Sequence, residues 1–128
     1  MTLLVRNEMK VLIVDDNDGI RRMLRRILVD TADTIWECTD GSQALAAYEE
    51  HQPDIVLMDV RMPIVDGLAA TRQIVTRHPA AQVIVVTDYQ DDDVKAAALE
   101  AGACEYVLKH EMNVLPDVIA SISGTGRA

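Results

Sequence analysis

Acidic side chains stand at the ends of two apolar runs in this sequence, and a lysine stands at the end of a third. Asp15 and Asp16 close VLIVDD, Asp59 closes DIVLMD, and Lys109 closes EYVLK. Where such runs are buried strands, their carboxylates converge and repel one another unless a divalent cation and a nearby ammonium neutralise them. Mg²⁺ is the natural occupant, because it keeps several waters and takes only one or two carboxylates plus phosphate oxygens. Ca²⁺ wants more protein oxygens. Thr87 ends a fourth run, VIVVT, and offers a hydroxyl donor beside the compact charge of Lys109. Three carboxylates balanced by one divalent ion and one ammonium make a neutral site, able to accept a phosphoryl group whose charge the metal, hydroxyl and ammonium share. The residue set therefore predicts phosphoryl transfer.

These groups meet only if the chain folds to bring the run ends together. Apolar runs alternate with helical patterns, the signature of a parallel α/β sheet. Lys10–Asp15, Asp54–Met58 and Val83–Val86 are nearly continuous apolar segments, as strands covered on both faces should be, whereas TIWEC (Thr34–Cys38) and EYVL (Glu105–Leu108) mix polar residues in and fit the edges. The simplest arrangement is a flavodoxin-like, doubly wound, five-stranded sheet of order 2-1-3-4-5 with five helices. Its ligand crevice lies at the carboxyl ends of the first and third strands.

Helical periodicity supports that frame. Ile20, Met23, Leu24, Ile27 and Leu28 share one face of a first helix. Ser42–His51 forms a second, with Ala44, Leu45 and Tyr48 inward and Pro53 beyond its end. A third opens after Asp66 and Gly67 and ends near Arg77, because His78 precedes Pro79. Asp91, Asp92 and Asp93 favour the start of a fourth, which Gly102 stops in a left-handed conformation. Asn113–Ser123 makes the fifth, with Asn113 as cap and Pro116 in the first turn. SGTGRA then reads as a flexible tail. One domain spans residues 1–128, with its core over about 9–123 and the tail at 124–128.

Composition narrows the function classes. With 49% apolar and 26% charged residues, and no apolar run near the roughly 20 residues that span a bilayer, the chain reads as soluble and not membrane-associated. MTLLVRNEMK carries too short an apolar stretch for a signal peptide, so the cytoplasm is the expected compartment. Cys38 and Cys104 have no partners at metal spacing and read as small buried hydrophobes. A formal charge of −9 argues against direct nucleic-acid binding.

VLIVDD, DIVLMDVRMPIVDG, VIVVT and GACEYVLK, in that order, resemble the receiver domains of bacterial two-component response regulators, and the likeness covers nearly the whole chain. The resemblance implies that Asp59 accepts a phosphoryl group from a phosphohistidine of a sensor histidine kinase or histidine phosphotransfer protein. It implies that Asp16, Asp59 and the main-chain carbonyl of Arg61 hold Mg²⁺ while Asp15 orients a water on that ion. Thr87 and Lys109 would bind phosphoryl oxygens. Tyr106 becomes the switch aromatic that turns inward when Thr87 is drawn to the phosphoryl group, changing the surface of the fourth helix, fifth strand and fifth helix. Catalysis is limited to self-phosphorylation from a phosphodonor and slow autodephosphorylation.

Two positions depart from the family pattern. His110 follows Lys109 where many receivers have proline, a proline that the receivers of quorum-sensing and nitrate-response DNA-binding regulators also lack. Asp88 follows Thr87 where a small residue is usual, so an extra carboxylate there would slow phosphorylation or steer the metal. Arg61 and Tyr89 occupy positions that in the family tune dephosphorylation. Arg21, Arg22, Arg25 and Arg26, on the polar side of the first helix, read either as a kinase-docking patch or as a solvated face. His51, His78 and His110 have no ligand spacing. Asp91 to Asp93 reads as an acidic helix start. Trp36, on an edge strand away from Asp59, is a poor fluorescent reporter of metal.

The expected output is protein contact, with a downstream target or an attached output domain, and the likeness allows a phosphorylation-dependent dimer. The chain reads as a stand-alone regulator, and the receiver of a longer DNA-binding transcription regulator would read identically. A pseudo-receiver, never phosphorylated, is the alternative module. A phosphatase of the haloacid dehalogenase type needs Asp two residues past its nucleophile, and Arg61 stands there.

Overall fold

Strands rich in Val, Ile and Leu form the centre of this molecule because both of their faces are covered. The computed structural model describes residues 8–88 and 90–123. Its five strands are β1 (Lys10–Val14), β2 (Thr34–Cys38), β3 (Ile55–Met58), β4 (Val83–Thr87) and β5 (Glu105–Leu108), all parallel and in the order β2-β1-β3-β4-β5. The helices are α1 (Asp18–Ile27), α2 (Ala44–His51), α3 (Gly67–Arg77), α4 (Asp92–Glu100) and α5 (Leu115–Ser123). The doubly wound sheet of order 2-1-3-4-5 is thus the one expected. The readings on Tyr89, on the opening MTLLVRN and on the tail fall outside the described residues.

Strand alternation divides the core in two. Val11, Ile13, Ile55, Leu57, Ile84 and Val86 pack with Leu24 and Leu28 of the α1 region and Leu115 and Ile119 of α5. Leu12, Val14, Val56 and Met58 pack on the other face with Ala44, Ala70 and Ile74 of α2 and α3. A period of two on each strand thus supplies two apolar surfaces.

Side-chain caps mark three helix starts. Asn17 Oδ1 accepts from the Ile20 N–H at 2.9 Å, Asp66 Oδ1 from Ala69 at 2.9 Å, and Asp91 Oδ1 from Asp93 at 2.7 Å. Gly102, at φ 109°, is the left-handed stop after α4, and a Cβ there would meet Val75 Cγ1 at 2.8 Å.

Several boundaries differ from expectation. β1 ends at Val14 and β3 begins at Ile55, which leaves Asp15 and Asp54 just outside the strands. A 3₁₀ turn over Gly41–Gln43, started by Asp40, precedes α2. Asn113 does not cap α5: it lies in a 3₁₀ segment, Lys109–Val114, kinked at Glu111, and α5 opens at Leu115. That tighter winding carries Met112 into the core. Met23 is exposed, because at 100° per residue it projects about 100° from the fully buried Leu24 and so falls at the margin of the apolar stripe. Arg21, expected on the solvated face of α1, is buried.

Candidate functional site

Asp15 and Asp16 follow directly from β1, Asp59 from β3 and Lys109 from β5, and Thr87 is the last residue of β4. Parallel register brings these ends side by side, with Val14 opposite Met58 and Thr87 opposite Leu108. Asp15, Asp59 and Thr87 are buried, while Asp16 is exposed at the rim. Carboxylate oxygens of Asp15, Asp16 and Asp59 all lie within 4.8 Å of one another. Lys109 Nζ sits 3.1 Å from Asp59 Oδ1 and 3.2 Å from Asp15 Oδ2. The other oxygen of Asp15 accepts the Asn17 N–H at 2.8 Å.

One ammonium does not neutralise three carboxylates, and the electrostatics register the deficit. Burial, and then the neighbouring charge of Asp15, push the Asp59 carboxyl up to about 6, although Lys109 pulls the other way. Burial works to lower the Lys109 ammonium, but Asp59 and Asp15 outweigh it and raise it. A divalent cation bound by the three carboxylates would relieve this repulsion. All three donors are hard oxygens, one at the solvent rim, which suits an ion that keeps much of its water shell. Among the described residues this trio is the single group of three or more acidic, His or Cys side chains close enough to hold a metal.

The loop after β3 closes against the site through a glycine. The Gly67 N–H donates to the Val60 carbonyl at 2.7 Å, and a Cβ on Gly67 would stand 1.7 Å from the Asp59 carbonyl oxygen. Any larger residue would displace the backbone of the acceptor aspartate. The sequence suggests Gly67 only as part of a turn; the close approach belongs to the fold. Arg61, whose carbonyl is the expected third metal ligand, is exposed in this loop, two residues beyond Asp59.

Tyr106 is half-buried against Val85, Ala98 and Ala103. Val85 pairs with Tyr106 and Thr87 with Leu108, so alternation puts Tyr106 and Thr87 on the same face of the sheet. Burial, followed by Asp91 and Asp92, raises the phenol above its usual range. Asp88 is exposed, and with Lys109 and His110 it lines the groove between α1 and the segment after β5.

The remaining sequence candidates disperse. His51 stacks on Trp36 with ring centroids 4.3 Å apart, and His78 lies 2.9 Å from Glu49, so neither joins the acidic trio. Cys38 is buried and its thiol is pushed up to about 11 by burial and then Asp40, whereas Cys104 is exposed, contrary to expectation. The four arginines of α1 are not one solvated patch. Arg22, Arg25 and Arg26 are exposed, but Arg21 turns inward, donating to the Asp15 carbonyl at 2.7 Å and to Glu37 at 2.8 Å, with a further ion pair to Asp18.

A parallel sheet of this order, with an acidic trio and a lysine at the carboxyl ends of its strands, is the arrangement of a two-component signalling receiver. The family model for the response regulator receiver domain matches residues 11–120, and the chain belongs to that family. It is 39% identical over 102 residues to the response regulator GacA of Pseudomonas syringae pv. syringae, covering 78% of this chain and 48% of that protein. It is 40% identical over 99 residues to the DNA-binding transcriptional regulator NtrC of Salmonella typhimurium, covering 77% of this chain and 21% of the relative. The chain thus spans half or less of the length of these curated relatives. A solved LuxR-family two-component response regulator from Aurantimonas sp. superposes with a TM-score of 0.85 at 31% identity, covering 93% of this chain and 87% of that one. No helix among the described residues is long and apolar enough to cross a membrane.

Proposed function

We propose that this receiver takes a phosphoryl group onto Asp59 from a phosphohistidine of a sensor histidine kinase or histidine phosphotransfer protein. The observation that carries the reading is the placement of Asp15, Asp16 and Asp59 within 4.8 Å of one another, with Lys109 on two of them. A carboxylate oxygen of Asp59 attacks phosphorus, the phosphorus–nitrogen bond of the donor breaks, and its electron pair stays on the imidazole nitrogen, which takes up a proton. Asp15, Asp16, Asp59 and the Arg61 carbonyl would hold Mg²⁺, which would supply Lewis-acid charge for the acceptor and the phosphoryl oxygens. Lys109 keeps Asp59 ionised and shares the incoming charge, and the Thr87 hydroxyl donates to the phosphoryl group.

The shared face of Thr87 and Tyr106 supports a switch in which Thr87 moves toward the phosphoryl group and Tyr106 follows into the space it leaves. The altered surface of α4, β5 and α5 then meets a downstream protein, a second copy of the chain, or an output domain attached in a longer regulator. The length of the relatives favours the attached domain, and a cytoplasmic location accords with such partners.

Intact mass after incubation with acetyl phosphate and Mg²⁺ tests the reading. Gain of one phosphoryl group by the wild type and none by Asp59→Asn is the expected result. No gain by a folded wild type would mean a pseudo-receiver.

A further inference from the structure

We infer that Arg21 is a positioning residue for the metal site, acting through the main-chain carbonyl of Asp15. This rests on the reading of the acidic trio as a Mg²⁺ site.

Arg21 is only 9% exposed, although it belongs to an arginine-rich helix whose other arginines face solvent. Its guanidinium is divided among three acceptors: Nη1 donates to the Asp15 carbonyl at 2.7 Å, Nε to Glu37 Oε1 at 2.8 Å, and Nη2 to Asp18. The first contact is with backbone, at the residue where β1 has ended. The Asp15 N–H still pairs with the Cys38 carbonyl at 3.1 Å, but its own carbonyl has left the ladder and sits in a buried environment. Such an acceptor needs a donor, and Arg21 provides one.

The contact also closes a loop of bonds around the acidic turn. The Asn17 N–H donates to Asp15 Oδ1 at 2.8 Å, the Arg21 N–H to the Asn17 carbonyl at 3.1 Å, and the Arg21 side chain returns to the Asp15 carbonyl. With the peptide between Asp15 and Asp16 fixed, both carboxylates keep a constant direction relative to Asp59. Because Arg21 binds the carbonyl, the Asp15 carboxylate is left to Asn17 and Lys109. Glu37 holds the guanidinium from β2, and Arg25 reinforces Glu37 from one turn further along α1. Metal sites depend on such supporting bonds for ligand orientation.

The experiment separates positioning from plain stabilisation. Arg21→Gln and Glu37→Gln both break the ion pair, but only the former removes the bond to Asp15. Mg²⁺ titrations followed by amide NMR shifts, with urea midpoints measured alongside, should show the Arg21→Gln dissociation constant raised about tenfold and that of Glu37→Gln within about twofold of wild type. Arg21→Lys, which keeps a charge and one donor but not the divided guanidinium contacts, should bind Mg²⁺ about threefold more weakly than wild type. Labelling by acetyl phosphate should fall in Arg21→Gln at low Mg²⁺ and approach the wild-type maximum at saturating Mg²⁺. Equal affinity in wild type and folded Arg21→Gln, or equal weakening in both Gln variants, would overturn the inference. If Arg21→Gln does not fold, Arg21→Lys decides alone: wild-type stability with weakened Mg²⁺ binding supports positioning, and lost stability with unchanged binding refutes it. A folded wild type that binds no Mg²⁺ would instead refute the site reading itself.

Discussion

Lys109 Nζ stands 3.1 Å from Asp59 Oδ1 and thereby ties the end of β5 to the end of β3 across the intervening strand β4. The ammonium pairs with two members of the acidic trio at once, and it is largely enclosed. Lys109→Met should therefore cut the rate of labelling by acetyl phosphate about 10²-fold, the usual cost of losing one preorganised charge partner. Mass spectrometry over time at saturating Mg²⁺ reads this directly, and an unchanged rate would remove Lys109 from the chemistry.

The Asp59 carboxyl also predicts a pH dependence of stability. Its folded value, about 6, lies above the ordinary 3.8 because burial and Asp15 disfavour the charge. The folded state then binds the proton more tightly than the unfolded state, so this stabilisation is fully present below about 4 and is lost as pH rises through about 6. In metal-free protein, Asp59→Asn should be more stable than wild type at pH 7, by roughly 1–3 kcal/mol, and the difference should shrink toward pH 4. Saturating Mg²⁺ should narrow it at pH 7, since the ion binds the wild-type site in preference. Urea unfolding at the two pH values, with EDTA and with Mg²⁺, measures all three arms. A constant difference across pH would contradict the account.

A third prediction concerns packing away from the site. Thr71, in α3, is completely buried, and its hydroxyl is the only buried side-chain polar atom without a hydrogen-bond partner among the described residues. Thr71→Val keeps the shape and removes the desolvation cost, so the denaturation midpoint should rise by the equivalent of about 1 kcal/mol. Lower stability would show that the hydroxyl is satisfied in solution.

Much of this molecule could be read from local pattern. Continuous apolar runs identified β1, β3 and β4 as doubly covered strands, and mixed runs placed β2 and β5 at the edges, because burial imposes that composition directly. Strand-end placement was legible for the same reason: Asp15, Asp59, Thr87 and Lys109 end or follow runs whose direction is set by a parallel sheet. Helix 5 was less so. Asn113 has the composition of a cap, but the need to bury Met112 winds Lys109–Val114 into 3₁₀ turns first.

The sequence by itself determined the two-sided core and which residues end the strands, since both follow from periodicity and chain direction, whereas the order 2-1-3-4-5 was only its simplest arrangement until strand pairing decided it. Tertiary structure alone decided the roles of Arg21 and Gly67. An arginine among four on one helix carries no local mark of which will turn inward; that depends on the Asp15 carbonyl and Glu37, brought close only when β1, β2 and α1 pack. Gly67 likewise looks like an ordinary turn residue until the loop after β3 folds back to leave no room for a Cβ beside Asp59.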